Sequence, residues 1–297
     1  MVQGKLTIKV PATTANLGPG FDSMGMALQI YNEIEIEPID QGIEIIGFDG
    51  VPPEDNLVYA AMEKVLTRYK RQVGGIRIIG KQFDIPMSRG LGSSAASIVA
   101  GILAANHFMD RILGVEEIIN IGTEMEGHPD NIVPAVLGGL TISIMDGEDV
   151  VYSKVDIPGS LKFAVMVPDF KLSTHAARSA LPSAYERKDC IFNISRASLL
   201  VAAMQKGELE KLRVATGDKV HQPYRARLIP NMYDIFQKAE ELGSKAEVIS
   251  GSGSTLLAMV DRDNHGFSAK MKNYLDSLPG QWTIQMLEAD ENGALCY

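Results

Sequence analysis

The stretch IPMSRGLGSSAAS, residues 85–97, places Gly90 and Gly92, then the hydroxyls of Ser93 and Ser94, directly ahead of an apolar run. Glycines let a backbone turn where other residues cannot, and they remove side chains that would block a close approach. If a helix opens there, its first amides lack intrahelical partners and sit at the positive end of the helix dipole. Bare amides plus that dipole bind anions, phosphate above all. A serine hydroxyl can bond the same phosphate or ligate Mg2+, a hard cation that prefers oxygen. A plain glycine-rich helix cap is the structural alternative. GLGSSA also satisfies the G-x-G-x-x-A form of a dinucleotide loop, but that motif needs a strand running into its first glycine. Pro86, Met87, Ser88 and Arg89 interrupt the approach, and Asp110 falls between two helical stretches instead of after a strand. No G-x-x-x-x-G-K-[ST] sequence occurs. What is left is a phosphate loop of another type, from Pro86 through Leu91 to Ala95 and Ala96.

Other candidate side chains lie far from this loop in the chain. Asn16 and Asp22 flank the glycine turn NLGPGFD, which by itself is an Asx-rich turn. Glu126 closes a helical stretch and alone reads as a solvated surface acid. Asp130 and Asn131 follow Pro129, where capping the next segment would account for them. Thr174 and Arg178, four apart, share one face of a short helix, and Arg225 sits in a proline-flanked segment. A lone arginine is most often a solvated surface residue. His128, His175 and His221 are scattered without a paired nucleophile, so no general-base role is assigned to them. The SGSGS run at residues 250–254 lets backbone approach a ligand without supplying a catalytic group.

These residues need elements to hold them. Strand alternation covers residues 5–10 and 31–39, and GIRIIG at 75–80 reads as a strand ending before the loop. Residues 56–70 have helical spacing with Asn56 as cap, and 94–108, apolar almost all round, predicts a buried central helix. A helix over 115–127 stops at Gly127 and Pro129; strands follow at 138–145 and 162–168. Between them, Pro158 and Gly159 mark the expected boundary of two domains, residues 1–157 and 158–297. Beyond it come helices near 173–180, 189–205, 209–216 and 232–242. Strands at 246–249 and 255–260, a helix at 266–278 and a last strand, WTIQMLE, close the chain. Strands and helices mix without regular alternation, which points to the α+β class.

Composition bounds the partners. The chain has 297 residues, 45% hydrophobic and 22% charged, and a formal net charge of −9. That balance argues against nucleic acid or an anionic membrane but leaves room for a small anionic substrate in a local pocket. Cys190 and Cys296 make no disulfide framework and no metal cluster. The opening MVQGKLTIKVP has no apolar signal core, and residues 95–105, the longest strongly apolar stretch, fall well short of the ~20 a membrane span needs. The expectation is a soluble, cytoplasmic protein; its oligomeric state, a homodimer included, stays open.

Three blocks in order, PATTANLGPGFDSMGMAL (11–28), PMSRGLGSSAA (86–96) and SGSGSTLLAMV (250–260), strongly resemble the kinases that group galactokinase, homoserine kinase, mevalonate kinase and phosphomevalonate kinase. The resemblance spans essentially the whole chain. It implies an N-terminal domain like a ribosomal-protein fold, a C-terminal ferredoxin-like domain, an active site in the cleft between them, and ATP with Mg2+ as cofactors. Galactokinases and mevalonate kinases carry a Gly-Glu-His stretch where this chain has Thr13 and Thr14. The ANLGPGFD form is similar to the homoserine branch, as are EGHPDNIVPAVLGG, STHAARSALP and HQPYRARLIP. That branch phosphorylates the side-chain hydroxyl of L-homoserine, giving O-phosphohomoserine on the way to threonine. By this resemblance Ser94 and Glu126 hold Mg2+, Asp22 takes the substrate ammonium, and Asn16 takes the hydroxyl end. Asn131 reaches the hydroxyl near the transferred phosphate, where the sibling kinases have an aspartate base, and Asp130 beside it leaves the base question open. Thr174, Arg178 and Arg225 receive the substrate from the C-terminal domain, the arginines gripping its carboxylate. Two departures are visible: Ser254 where proline is usual, and Asn231 where glycine is common. A sibling kinase for another carboxylate-bearing alcohol, or a catalytically silent ligand sensor, remains the alternative reading; Ser94 and Glu126 together weigh against silence.

Overall fold

A computed structural model describes residues 4–48 and 51–297; residues 1–3, part of the expected first domain, and 49–50 lie outside the described residues. The first sheet begins with β1 (Leu6–Ala15) and β2 (Met24–Ile39), paired antiparallel from Leu6↔Ile36 to Ala15↔Gly25. β1 does not stop near Val10. Pro11 cannot donate to the ladder, so the register shifts between Pro11 and Ala12 and the strand carries on to Ala15. The tight turn at 16–23 is thereby anchored at both ends. β3 (Ile43–Ile46) runs parallel to β4 (Gly75–Phe83), and β4 pairs with β2. β5 (Leu140–Asp146) pairs with the start of β2 and with β6 (Asp149–Val155), a hairpin whose second strand is not among the expected elements.

Four helices cover this sheet. α1 (Leu57–Arg68) starts where expected, because the Asn56 side chain accepts hydrogen bonds from the amides of Val58 and Tyr59. α2 (Ser93–Phe108) buries side chains on all faces, from Ala95 and Ile98 to Ile102 and Ala105, and is the central helix its composition predicts. α3 (Val115–Glu126) ends at Gly127, whose φ of 90° is the left-handed conformation that stops a helix. Pro129, two residues beyond that stop, also opens α4 (Pro129–Leu137), because proline suits the first helical turn.

The second sheet holds β7 (Leu161–Pro168), β8 (Ala246–Ile249), β9 (Leu256–Asp261) and β10 (Trp282–Leu287). Its order is β10-β7-β9-β8, all antiparallel, which is the arrangement of a ferredoxin-like sheet. Alternation along β7 explains its mostly apolar sequence, in which Lys162 is the one charged residue. Phe163 and Val165 join the large core under α6 (Arg187–Lys206) and α7 (Leu212–Ala215). Ala164 and Met166 face α9 (Met232–Glu241) and α10 (Phe267–Leu275). The short α5 (Thr174–Ser179) and α8 (Gln222–Arg225) lie on the chain between β7 and β8. Asn231, before α9, has φ 59°, a left-handed position that asparagine tolerates almost as glycine does. The first sheet ends at Val155 and the second begins at Leu161, but β11 (Leu295–Cys296) returns to pair with β1. A single cut near residue 158 therefore misassigns the C-terminal strand, which completes the first sheet.

Candidate active site

Gly92 is the N-cap of α2, with φ 67° and no side-chain cap, so the helix opens with its first amides facing a cleft. A Cβ at Gly92 would lie 1.9 Å from Thr13 Oγ1, which is why no other residue fits. The rest of the loop is tied to the second sheet. Leu172 N–H donates to Ser88 O, Thr255 N–H to Arg89 O, and Ser250 Oγ to Gly90 O at 2.6 Å. Arg89, expected to contact nucleotide, turns its guanidinium away: it donates to the carbonyls of Pro168 (2.9 Å), Met87 (3.1 Å) and Asp169 (2.8 Å). Its side chain therefore ties the glycine loop to the end of β7. Ala95 and Ala96 are buried in the core, so only their backbone is available to a ligand.

Ser94 Oγ donates to Glu126 Oε2 at 2.7 Å, joining the start of α2 to the end of α3. Burial raises the Glu126 carboxyl above its ordinary pKa, and the nearby Asp130 charge adds to this. Thr13 Oγ1 donates to Asn131 Oδ1 (2.8 Å), which leaves Asn131 Nδ2 directed at Asp130 Oδ1 (3.2 Å). Asp130 Oδ1 also meets His128 Nδ1 at 2.5 Å. Burial pulls His128 down, but the Asp130 hydrogen bond and charge outweigh it, with Glu126 and Asp22 beyond, and its pKa ends raised. Asp130 is thus already engaged by an imidazole and an amide. His128 lies in the site, although no role for it was legible in its sequence context.

Opposite this cluster, Arg178 makes a two-pronged bond with Asp22: Nη1 to Oδ2 at 3.0 Å and Nη2 to Oδ1 at 2.8 Å. The residues expected to bind opposite ends of a zwitterion therefore hold each other. Asn16, with φ 71°, accepts from Asp22 N–H (2.9 Å) and donates to Gly251 O (2.7 Å). Arg225 Nη1 donates to the same carbonyl at 2.9 Å. Burial, then repulsion from Arg178, pushes Arg225 down to about 10, so it stays charged at neutral pH. Both guanidinium groups lie against Phe21, at 5.6 Å for Arg178 and 5.2 Å for Arg225. Thr174 Oγ1 comes within 3.5 Å of Ser252 Oγ. His175 is exposed and outside the cleft.

One small polar cavity of about 90 Å3 gathers Asn16, Asp22, Glu126, Asp130, Asn131 and Thr174 with Arg178, Arg225, Ser88 and residues 90–94 of the loop. Its wall also includes His128, Gly251 and Ser252. A larger, mainly apolar cavity of about 510 Å3 adjoins it across Ser88, Ser93 and Ser94, walled by Phe48, Val51, Leu57, Phe83 and Ile85. Two chambers meet at the helix N-terminus.

Comparison with known proteins shows the family. Residues 56–139 match the GHMP kinases N terminal domain and residues 200–274 the GHMP kinases C terminal family. Over 292 residues the chain is 51% identical to the homoserine kinase of Clostridium novyi (strain NT), covering 97% of this chain and 98% of that one. The chain belongs to the homoserine kinases of the GHMP kinase family. A second relative, the homoserine kinase of Clostridium acetobutylicum, is 48% identical over 98% of this chain and 99% of its own. The crystal structure of homoserine kinase from Cytophaga hutchinsonii superposes with a TM-score of 0.89 at 25% identity, covering 100% of this chain and 98% of that one. Mevalonate kinase from L. major shares the fold at TM-score 0.74 and 17% identity, over 98% of this chain and 97% of its own. The two-domain kinase architecture is thus the family's.

The donor set suits Mg2+ in kind. Among the described residues no three His, Cys, Asp or Glu side chains form a self-sufficient metal cluster. The adjacent Ser94 and Glu126 oxygens instead offer the sparse protein ligation that Mg2+ accepts when phosphates and waters supply the rest. Among the described residues no helix is long and apolar enough to cross a membrane.

Proposed function

We propose that the kinase transfers the γ-phosphoryl group of ATP to the side-chain hydroxyl of L-homoserine, with Mg2+ held by Ser94 and Glu126. The observation that supports this most is the meeting of two unlike chambers at the amides that open α2. The apolar chamber suits a nucleoside, and the polar one a small zwitterion. The amides of Ser93, Ser94 and Ala95 receive the phosphates between them. Mg2+ held by Ser94 and Glu126 would supply charge neutralisation for the phosphate oxygens.

Arg178 and Arg225 present cations to the homoserine carboxylate, and the Asp22 carboxylate takes its ammonium group. Asn131 positions the hydroxyl; its amide is held by Thr13 and has no site for a proton. Asp130 keeps His128 in place and does not act as a free base. In-line transfer asks mainly for positioning and charge neutralisation, and the cleft supplies both. The product feeds threonine synthesis in the cytoplasm.

Phosphorus NMR of a reaction with ATP, Mg2+ and homoserine tests the reading. A phosphomonoester signal coupled to the side-chain methylene is expected. Phosphate released without that ester, or an ester on another acceptor only, would overturn it.

A further inference from the structure

His221 is fully buried where the turn at 16–23 meets α8. Its Nε2 lies 2.8 Å from Gly18 O, and its Nδ1 lies 3.2 Å from Arg225 Nη1. A carbonyl can only accept and a guanidinium can only donate. Nε2 must therefore carry the hydrogen and Nδ1 must be bare, which fixes one neutral tautomer. The ring also stacks on Phe21 with centroids 5.3 Å apart. A closed chain of bonds follows: Asn16 to Gly251 O, Arg225 to the same oxygen, Arg225 to His221, and His221 to Gly18. It spans both domains and touches each half of the polar chamber.

The charged groups around the ring are Asp218, Arg225 and, further off, Asp22. Asp218 Oδ2 is 3.6 Å from Nε2, which favours an imidazolium. However, Asp218 already accepts from the amides of Val220, His221 and Gln222 and from Asn193 Nδ2, so its charge is largely spent. A proton on Nδ1 would face the Arg225 guanidinium directly.

We propose that His221 is a positioning residue which, as the neutral Nε2–H tautomer, aims Arg225 at the substrate carboxylate and pins the turn carrying Asn16 and Asp22. This rests on the assignment of Arg225 to the homoserine carboxylate. Two conservative variants separate its bonds. His221→Asn keeps an acceptor near Nδ1, whereas His221→Gln keeps a donor near Nε2 and loses the acceptor facing Arg225. The acceptor serves a charged donor, so His221→Gln is expected to raise the homoserine KM roughly 10- to 100-fold. The ATP KM should change far less, and His221→Asn should recover most of the homoserine affinity. Equal homoserine KM values in both variants would overturn the proposal. Nitrogen NMR of the wild-type imidazole needs no variant: a bare Nδ1 at pH 7 is expected, and an imidazolium would overturn it. Arg225→Ala serves as the control, because an unchanged homoserine KM there would refute the carboxylate assignment beneath the proposal.

Discussion

Replacing Arg178 with alanine separates a structural ion pair from a substrate clamp. The Arg178–Asp22 pair is well aligned, at 3.0 and 2.8 Å, but the side chains are 39% and 34% exposed. Solvent screens such a pair, so its loss should cost about 0–1 kcal/mol of folding stability. The bound complex differs. In the proposed complex the carboxylate of a small zwitterion would leave water and depend on Arg178 and Arg225, whose guanidinium groups both lie against Phe21. Removing one partner from a desolvated charge costs about 2–5 kcal/mol. That is roughly 30-fold to several thousand-fold in homoserine KM. Urea unfolding should thus give a midpoint close to wild type, while initial rates show a steep rise in homoserine KM and a nearly constant ATP KM. Amino alcohols lacking the carboxylate should be poor substrates for the wild type and indifferent to the substitution. A large loss of stability with normal homoserine KM, or a rise confined to the ATP KM, would refute the reasoning.

Glu126→Gln should keep the fold and lower turnover on the order of 10²–10³-fold, as loss of a key electrostatic group does elsewhere; normal rates at limiting Mg2+ would make Glu126 a bystander. Because burial raises the Glu126 carboxyl, its charged form is lost earlier as pH falls, so the acid limb of kcat/KM should lie above the usual carboxylate range and move lower with excess Mg2+. An acid limb insensitive to Mg2+ would count against that ligand. Gly92→Ala forces a Cβ to 1.9 Å from Thr13 Oγ1 at φ 67°, so stability should drop by at least ~1–2 kcal/mol and turnover should fall as Asn131 loses Thr13; an unchanged melting curve would contradict this. His221, buried in the fold at about 4 against an unfolded value near ~6.5, contributes no penalty at neutral pH. Between those values the unfolded chain binds the extra proton, so stability should fall as pH drops from about 6.5 towards 4, and His221→Asn should flatten that slope in urea titrations.

Features set by local chemistry were legible in the sequence. The glycine loop, the buried helix α2 and the Asn56 cap each depend on residues within a few positions of one another. The second sheet was legible because its strands are apolar runs bounded by glycine and proline. Two departures fall at prolines. The strand expected over residues 5–10 runs on to Ala15 because Pro11 makes only a register shift, and Pro129, read with Gly127 as a helix stop, also starts α4. β11 is two residues long and gains its meaning only by pairing with β1. In the site, the side chains brought to the polar chamber were named from sequence and resemblance, but their mutual bonds were not. Asp22 and Arg178 are 156 residues apart, and His128 meets Asp130 only because α4 begins immediately after α3. Arg89 shows the converse: its place in the loop suggested phosphate, and only the second sheet's carbonyls reveal where its charge goes.

A coupled ADP-release assay with homoserine, mevalonate and galactose offered separately tests the central claim most directly. The account predicts Mg2+-dependent release with homoserine at a kcat/KM at least ~100-fold above either alternative, because only homoserine engages Asp22, Arg178 and Arg225 together. Release with mevalonate or galactose at a comparable rate, or no release above background with any acceptor, would contradict it.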